Sequence, residues 1–198
     1  MHSDSETPRV CRQKSVIDRA KKDIILSGVG GQGILSIATV IGWAALDQNL
    51  HLKQAEVHGM SQRGGDVQSN LRISTERIWS DLIPKGECDL ILSLEPMEAL
   101  RYLPWLSKGG WIVTNSTPFV NIPNYPLVEE ITAELQKIGN VITLDCDEIA
   151  KQTGSPRSAN MVLLGASATV LEILDPEKLR EGITNVFSRK GEKIVEMN

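Results

Sequence analysis

Apolar runs and stretches with a helical period alternate along most of the chain. A short apolar run over residues 24–26, shortly before Gly28, is typical of a buried strand and predicts a first strand over residues 23–27. Over residues 34–46 the apolar side chains recur every three or four positions, which predicts an amphipathic helix with one buried face. The first unit is therefore predicted to be a strand, a glycine loop, and a helix that begins between Gly30 and Ile34.

The same signals recur to the C-terminal end of the chain. Strands are predicted over residues 52–57, 67–73, 89–94, 110–114 and 141–144. Further helices are predicted from Pro96 onward and over residues 127–138, 159–173 and 176–187. A turn at residues 74–76 is expected to lead into an extended stretch over 77–79. Two strands without a helix between them in residues 52–82 indicate an antiparallel excursion. The predicted fold class is α/β, a three-layer Rossmann-like fold with a mixed, largely parallel sheet.

The N-terminal segment differs from the rest. Residues 1–21 are polar, contain Pro8 and show no sustained apolar period, so they are predicted to form a flexible tail. Residues 22–198 contain no internal repeat and no linker, which predicts a single domain.

Charge, the length of the apolar runs and the positions of the cysteines argue against several classes of function. Lys and Arg total 21 against 25 Asp and Glu, a net charge of −4, which disfavours nucleic-acid binding. No apolar run approaches the ~18 residues that span a bilayer, so no membrane association is expected. Cys11, Cys88 and Cys146 have no metal-ligand spacing, which argues against an iron–sulfur cluster or zinc site on this chain. Scattered cysteines and the lack of a signal peptide predict a cytoplasmic location.

The glycine loop is the first candidate site. Gly28, Gly30 and Gly33 form a G-x-G-x-x-G pattern between a strand and a helix, where backbone amides at a helix N-terminus favour a phosphate. Glu56 lies 23 residues after Gly33, near the end of the next predicted strand, where dinucleotide folds place a ribose-binding acid. Binding of NAD(P) or a flavin is therefore permitted.

A structural interpretation of this loop is equally open. Gly30, Gly31 and Gly33 would then simply let the helix pack tightly on the sheet, while Gln32 is solvated or contacts a partner. A Walker lysine is absent, which disfavours nucleoside triphosphate hydrolysis.

The second candidate site is the polar loop that follows Glu56. It concentrates donors and acceptors in His58, Ser61, Gln62, Arg63 and Gly64. Arg63 suits a bidentate contact with phosphate or carboxylate, with an intersubunit ion pair as the alternative. His58 is interpreted as a hydrogen-bonded loop residue because no nucleophile is positioned to work with it.

The remaining polar residues do not complete a catalytic set. Glu95 and Glu98 at a helix start are interpreted as favourable partners of the helix dipole. No catalytic residue is assigned, which suggests that the chain is part of a larger enzyme.

Several segments, taken in order, resemble one family. They are GVGGQGIL at 28–35, EVHGMSQRGG at 56–65 with NLRI at 70–73, GECDL at 86–90 with LEPMEAL at 94–100, and NMVLLGA at 160–166. Together they resemble the gamma-type subunit or domain of 2-oxoacid:ferredoxin oxidoreductases, and within that family the beta subunit of the indolepyruvate enzymes.

The resemblance implies an enzyme that oxidatively decarboxylates an aryl 2-oxoacid to an acyl-CoA and passes electrons to ferredoxin. It implies that thiamine diphosphate and iron–sulfur clusters reside on a large partner subunit and that coenzyme A binds at the subunit interface. The isolated chain is expected to be inactive, with a homodimer as one form of the lone subunit. The alternatives are a stand-alone NAD(P)- or flavin-binding oxidoreductase and a purely structural assembly subunit.

Overall fold

The computed structural model describes residues 20–58, 64–120, 122–188, 191–196 and 198. The strands in this part of the chain are β1 (Lys21–Val29), β2 (His51–His58), β3 (Asp66–Ser74), β4 (Cys88–Ser93), β5 (Leu106–Asn115) and β6 (Val141–Leu144). The helices are α1 (Ile34–Asp47), α2 (Pro96–Arg101), α3 (Val128–Gln136), α4 (Cys146–Gln152), α5 (Ala159–Ser167), α6 (Pro176–Phe187) and α7 (Glu192–Glu196). Residues 1–19 of the predicted tail lie outside the described residues.

All six strands belong to one sheet in the order β2-β3-β1-β4-β5-β6. Strands β1, β4, β5 and β6 run parallel, whereas β3 is antiparallel to both β1 and β2. The predicted mixed sheet and its antiparallel excursion are therefore confirmed. The excursion inserts β3 between β1 and β2, so two strands that are consecutive in a Rossmann unit are not neighbours here.

Alternation along the buried strands builds a separate core on each face of the sheet. Ile24 and Leu26 of β1 pack with α1, α5 and α6, whereas Ile25 between them packs with α2 and α3. Because successive side chains of a strand point to opposite faces, one continuous apolar run serves both layers. This confirms the predicted three-layer arrangement, with helices on both faces.

Some predicted elements differ from the observed ones. Residues 77–79 form no strand, and the segment directly after them is held by hydrogen bonds from Arg72 to the carbonyls of Ser80 and Leu82. Helix α5 ends at Ser167, and the remaining residues of the predicted helix 159–173 form turns. Helices α4 and α7 were not predicted.

Helix α4 is marked in the sequence by its capping residue, Asp145, rather than by an apolar period. The Asp145 carboxylate accepts a hydrogen bond of 2.8 Å from the Glu148 N–H, which caps the helix. The pKa of Asp145 is lowered, mainly by this backbone hydrogen bond. An acid followed three residues later by Glu is a recognisable helix start.

None of the helices in the described part of the chain is both long enough and apolar enough to cross a membrane.

The two described cysteines are expected to be chemically inert in the native protein. Burial raises the pKa of both Cys88 and Cys146 to about 12, so each thiol stays protonated near neutral pH. Iodoacetamide at neutral pH should leave both unmodified in the native protein and modify both in urea, as measured by peptide mass spectrometry. Equal labelling of native and unfolded protein would contradict this expectation.

Candidate functional site

A crevice opens beside the carboxyl ends of β1, β4 and β5. Helix α1 follows β1 on one face of the sheet, whereas α2 follows β4 on the opposite face. Neighbouring parallel strands whose connections leave in opposite directions form a topological switch point, where α/β proteins bind ligands. The crevice measures about 730 Å³. Its walls come from the glycine loop, from Ser36 of α1, from residues 155–160, and from Leu94, Asn115 and Asp147.

The glycine loop forms one wall, but not all of its amides face the crevice. The Gly30 N–H donates to the Gly65 carbonyl at 2.9 Å, and the Gly64 N–H donates back to the Gly30 carbonyl at 3.5 Å. The amide of Gly30 is therefore engaged within the chain, contrary to its expected role toward a phosphate. Gly31 and Gly33 do line the crevice, and no side chain caps the N-terminus of α1, where the Ser36 N–H donates to the Gly33 carbonyl at 3.1 Å.

Gly33 is the residue at which the loop becomes the helix. Its φ of 88° lies in the left-handed region, and a Cβ there would lie 2.7 Å from Asn160 Nδ2. Asn160 in turn donates from Nδ2 to the Gly33 carbonyl at 3.2 Å. Glycine at this position therefore allows both the turn into α1 and the close approach of α5.

Gln32 cross-links the loop to the neighbouring strand end. Its Oε1 accepts from the Val29 N–H at 2.7 Å, and its Nε2 donates to the Leu94 carbonyl at 3.1 Å. The side chain therefore ties the end of β1 to the residue after β4. This corrects the interpretation of Gln32 as a solvated or partner-contacting residue.

The opposite wall is the loop between α4 and α5, which sequence analysis did not select. The hydroxyls of Ser155 and Ser158 hydrogen-bond to each other, and Ser158 Oγ donates to Asn198 Oδ1 at 3.1 Å. Arg157 lies between them, is exposed, and is the one cationic residue among the described residues that line the crevice. The sequence signal was the turn Gly154-Ser-Pro-Arg-Ser158 directly before the NMVLLGA segment.

The end wall carries a carboxylate. Asn115, the last residue of β5, donates from Nδ2 to Asp147 Oδ2 at 2.9 Å, and its Oδ1 accepts from the Cys146 N–H at 3.0 Å. The amide thus fixes the start of α4 beside the crevice. Arg157 and Asp147 give the crevice charges of both signs.

Glu56 does not join this site. It lies on the edge strand β2, is exposed, and accepts from Gln54 Nε2 at 2.9 Å. Because β3 separates β2 from β1, Glu56 lies two strand spacings, roughly 10 Å, from β1. The convergence with the glycine loop that a dinucleotide site requires is therefore not formed.

Of the second predicted site, the polar loop after Glu56, the structure describes only the two flanking residues, His58 and Gly64. His58 is the last residue of β2, and Gly64 pairs with the glycine loop through its backbone. Ser61, Gln62 and Arg63 lie outside the described residues, so their predicted ligand contacts stay predictions.

A buried carboxylate at the carboxyl end of β4 has a structural role. Glu95 is fully buried, caps α2 by accepting from the Glu98 N–H at 2.8 Å, and also accepts from the Phe119 N–H and the Tyr125 hydroxyl. Burial, and then the hydrogen bond to Glu95, raises the pKa of Tyr125. The predicted location of Glu95 at a helix start is correct, although its burial was not predicted.

Glu98 is the neighbouring buried carboxylate. Desolvation raises its pKa, while hydrogen bonds of 2.7 and 3.1 Å from the Arg101 guanidinium act in the opposite direction. Within the described ranges, no group of three or more His, Cys, Asp or Glu residues is arranged to hold a metal ion.

The structural class is a three-layer α/β fold with a mixed sheet and a crevice at its topological switch point. Within this class, the family described as "Pyruvate ferredoxin/flavodoxin oxidoreductase" matches residues 23–198. The chain belongs to this family of oxidoreductases, as its motifs indicated.

Two similar proteins are indolepyruvate oxidoreductase subunits IorB. That of Pyrococcus horikoshii is 40% identical over 152 residues, which are 73% of this chain and 75% of the relative. That of Thermococcus kodakarensis is 38% identical over 170 residues, 81% and 84% of the two chains. The ketoisovalerate oxidoreductase subunit VorA of Methanothermobacter thermautotrophicus is 30% identical, with 87% of this chain matching 33% of that protein.

Solved structures share the fold. The 2-oxoglutarate:ferredoxin oxidoreductase from Magnetococcus marinus, with 2-oxoglutarate, coenzyme A and succinyl-CoA bound, matches with a TM-score of 0.68 and 22% identity. The match covers 89% of this chain and 29% of that chain. The gamma subunit of a keto/oxoacid ferredoxin oxidoreductase from Geobacter sulfurreducens matches with a TM-score of 0.60 and 24% identity over 89% and 95% of the two chains.

Proposed function

We propose that this chain is the small subunit of a heteromeric indolepyruvate (aryl 2-oxoacid):ferredoxin oxidoreductase that forms an acyl-CoA in the cytoplasm. The observation that carries the proposal is identity of about 40% to IorB subunits over about three quarters of both chains. A large partner subunit holds thiamine diphosphate and the iron–sulfur clusters and passes electrons to ferredoxin. The domain proposed for this role is residues 22–198, extended by Lys21, which was predicted to belong to the tail but is the first residue of β1.

The crevice is the part of this chain that contacts coenzyme A. Coenzyme A carries phosphate groups, and the crevice combines the Arg157 guanidinium, serine hydroxyls and the amides at the start of α1. A guanidinium forms bidentate hydrogen bonds to phosphate, and a helix N-terminus favours negative charge. Gln32 and Asn160 line the crevice and also hold the loop in position, through hydrogen bonds to the Leu94 and Gly33 carbonyls. Gly28 leaves the space that the Gln32 side chain occupies. Arg63 is a further predicted contact from the loop after β2.

The geometry supports this role better than binding of NAD(P) or a flavin. Recognition of the ribose of NAD places an acid beside the glycine loop, and Glu56 is separated from that loop by β3. The polar crevice supports a ligand-handling subunit over a purely structural one.

Removal of the Arg157 guanidinium is the direct test. In the complex reconstituted with its large subunit, Arg157→Ala should raise the KM for coenzyme A roughly ten- to a hundredfold. This range corresponds to the ~1.5–3 kcal/mol of a hydrogen bond to a charged group. The KM for the 2-oxoacid and the thermal melting temperature should stay unchanged, because Arg157 is an exposed loop residue.

Arg180→Ala is the matched control, because Arg180 is an exposed arginine of α6 that does not line the crevice. It should leave the coenzyme A dependence as in the wild type. An Arg157→Ala complex with wild-type coenzyme A kinetics would remove the crevice from the proposal. A wild-type chain that forms no active complex with the large subunit would overturn the proposed function itself.

A further inference from the structure

Exposed large apolar side chains are concentrated in one stretch of the described surface. Within ten residues of chain, before and at the start of α3, five such side chains are between 38% and 67% exposed: Phe119, Val120, Ile122, Leu127 and Val128. Clustered apolar exposure of this kind marks an interaction surface, whereas single exposed apolar residues need no explanation.

This stretch is tied down at both ends. The Phe119 N–H and the Tyr125 hydroxyl both hydrogen-bond to Oε1 of the buried Glu95, which brings the two parts of the loop together. Glu95 is itself held by capping α2. The loop therefore presents its apolar side chains from a fixed base, which lowers the entropic cost of binding.

A groove continues the apolar stretch on the surface of α2 and α3. It measures about 520 Å³ and begins at Pro126, the residue before the exposed Leu127. The other apolar residues that line it are Met97, Leu100, Ile131 and Ala133. A groove of this size accommodates apolar side chains of a partner.

The rim of the groove is acidic. Glu130 and Glu134 line it, and Glu129 precedes them on the first turn of α3. Lys137 pairs with Glu134 at 2.6 Å, but no ion pair within the described ranges involves Glu129 or Glu130. The charge complement of this rim is a lysine or arginine.

A second copy of this chain is a poor occupant. A two-fold dimer places the same patch of both copies face to face, so the unpaired carboxylates would meet one another. Like charges opposed across an interface are unfavourable.

We propose that the groove and the apolar stretch before it, residues 119, 120 and 122–128, form the docking surface for the large oxidoreductase subunit. That subunit contributes an apolar segment flanked by lysine or arginine. The inference rests on the proposed function, because it names the contact surface for the partner proposed above.

Leu127→Asp is the variant that separates docking from folding. Leu127 occupies the N-cap of α3 in an extended conformation without a side-chain cap, where aspartate is a preferred residue. The melting temperature of the lone chain should therefore be unchanged or higher. The dissociation constant for the large subunit, measured by titration of the full-length chains, should rise at least tenfold.

Leu46→Asp is the matched control, because Leu46 is 62% exposed and Leu127 is 65% exposed, but Leu46 belongs to the last turn of α1. It should change the dissociation constant by less than twofold. Glu129→Gln combined with Glu130→Gln should weaken binding and flatten its dependence on salt concentration, because the screened attraction is removed.

The outcomes distinguish the two proposals. A stable wild-type complex that Leu127→Asp leaves unchanged would overturn the docking surface and leave the proposed function intact. Failure of the wild-type chains to associate would overturn the proposed function and the docking surface together. Concentration-dependent self-association of the lone chain that Leu127→Asp abolishes would assign the surface to a second copy and overturn the docking proposal.

Discussion

Replacement of Gly33 by alanine is expected to lower the free energy of unfolding by about 2–3 kcal/mol. A left-handed backbone conformation costs an L-residue ~1–2 kcal/mol, and Gly33 has a φ of 88°. The new Cβ would also lie 2.7 Å from Asn160 Nδ2 and displace the amide that donates to the Gly33 carbonyl. Loss of that hydrogen bond adds ~1 kcal/mol. Urea unfolding followed by circular dichroism measures the change.

Gly165→Ala is the matched substitution. Gly165 lies inside α5, has no positive φ, and a Cβ there would meet no atom within 4 Å apart from its chain neighbours and the backbone of its own helix. Alanine there should raise the free energy of unfolding by up to ~1 kcal/mol, because glycine is a poor helix former. Equal effects of the two substitutions would show that conformation and contact at Gly33 contribute nothing.

Replacement of Arg72 by methionine is expected to have an even larger effect, a loss of about 3–5 kcal/mol. Arg72 on β3 faces Asp23 on β1 and forms two hydrogen bonds to its carboxylate, at 2.8 and 3.0 Å. Asp23 is fully buried, and its second partner, Lys21, is 45% exposed. Removal of Arg72 leaves the buried carboxylate with the half-exposed Lys21 as its remaining ion-pair partner, and loss of one partner of a buried ion pair carries a cost of this size.

A double variant separates the effect of the buried Asp23 charge from the loss of the other contacts of Arg72. Asp23→Asn removes the buried charge, so Asp23→Asn combined with Arg72→Met should be more stable than Arg72→Met alone. Part of the loss should persist, because Arg72 also donates to the carbonyls of Ser80 and Leu82. Urea midpoints of the wild type and the three variants provide the comparison. A double variant less stable than Arg72→Met would contradict the charge explanation.

Elements with a clear local period were predictable from the sequence. Helix α6 and strand β6 have the predicted limits, and α1 begins at Ile34 within the predicted interval. Their signals are local: a period of 3.6 or a short apolar run, with glycine or proline at or just before its start. Helix α5 was predicted too long, because four of residues 168–173 are apolar and are buried or half-buried although the segment is not helical: Ala168, Val170, Leu171 and Ile173. The spacing of apolar residues indicates which side chains are buried. It does not show whether the backbone forms the hydrogen bonds of a helix.

The family was also determined by the sequence alone. Ordered segments, from GVGGQGIL at 28–35 to NMVLLGA at 160–166, indicated it, and the family match over residues 23–198 agrees. The family could be inferred in this way because it is defined by residue types that follow one another in a fixed order along the chain. Their positions in space were not needed for that inference.

Only the tertiary structure decided which residues form the crevice. The spacing of Glu56 from Gly33 fits a dinucleotide site, but β3 lies between β1 and β2 and separates the acid from the loop. Arg157 lies 124 residues after Gly33, and the packing of α5 against the start of α1 brings both to one crevice. A hydrophobic period specifies which face of a strand or helix is buried. It does not specify which element covers that face, because strand order and helix placement depend on contacts between residues far apart in the chain.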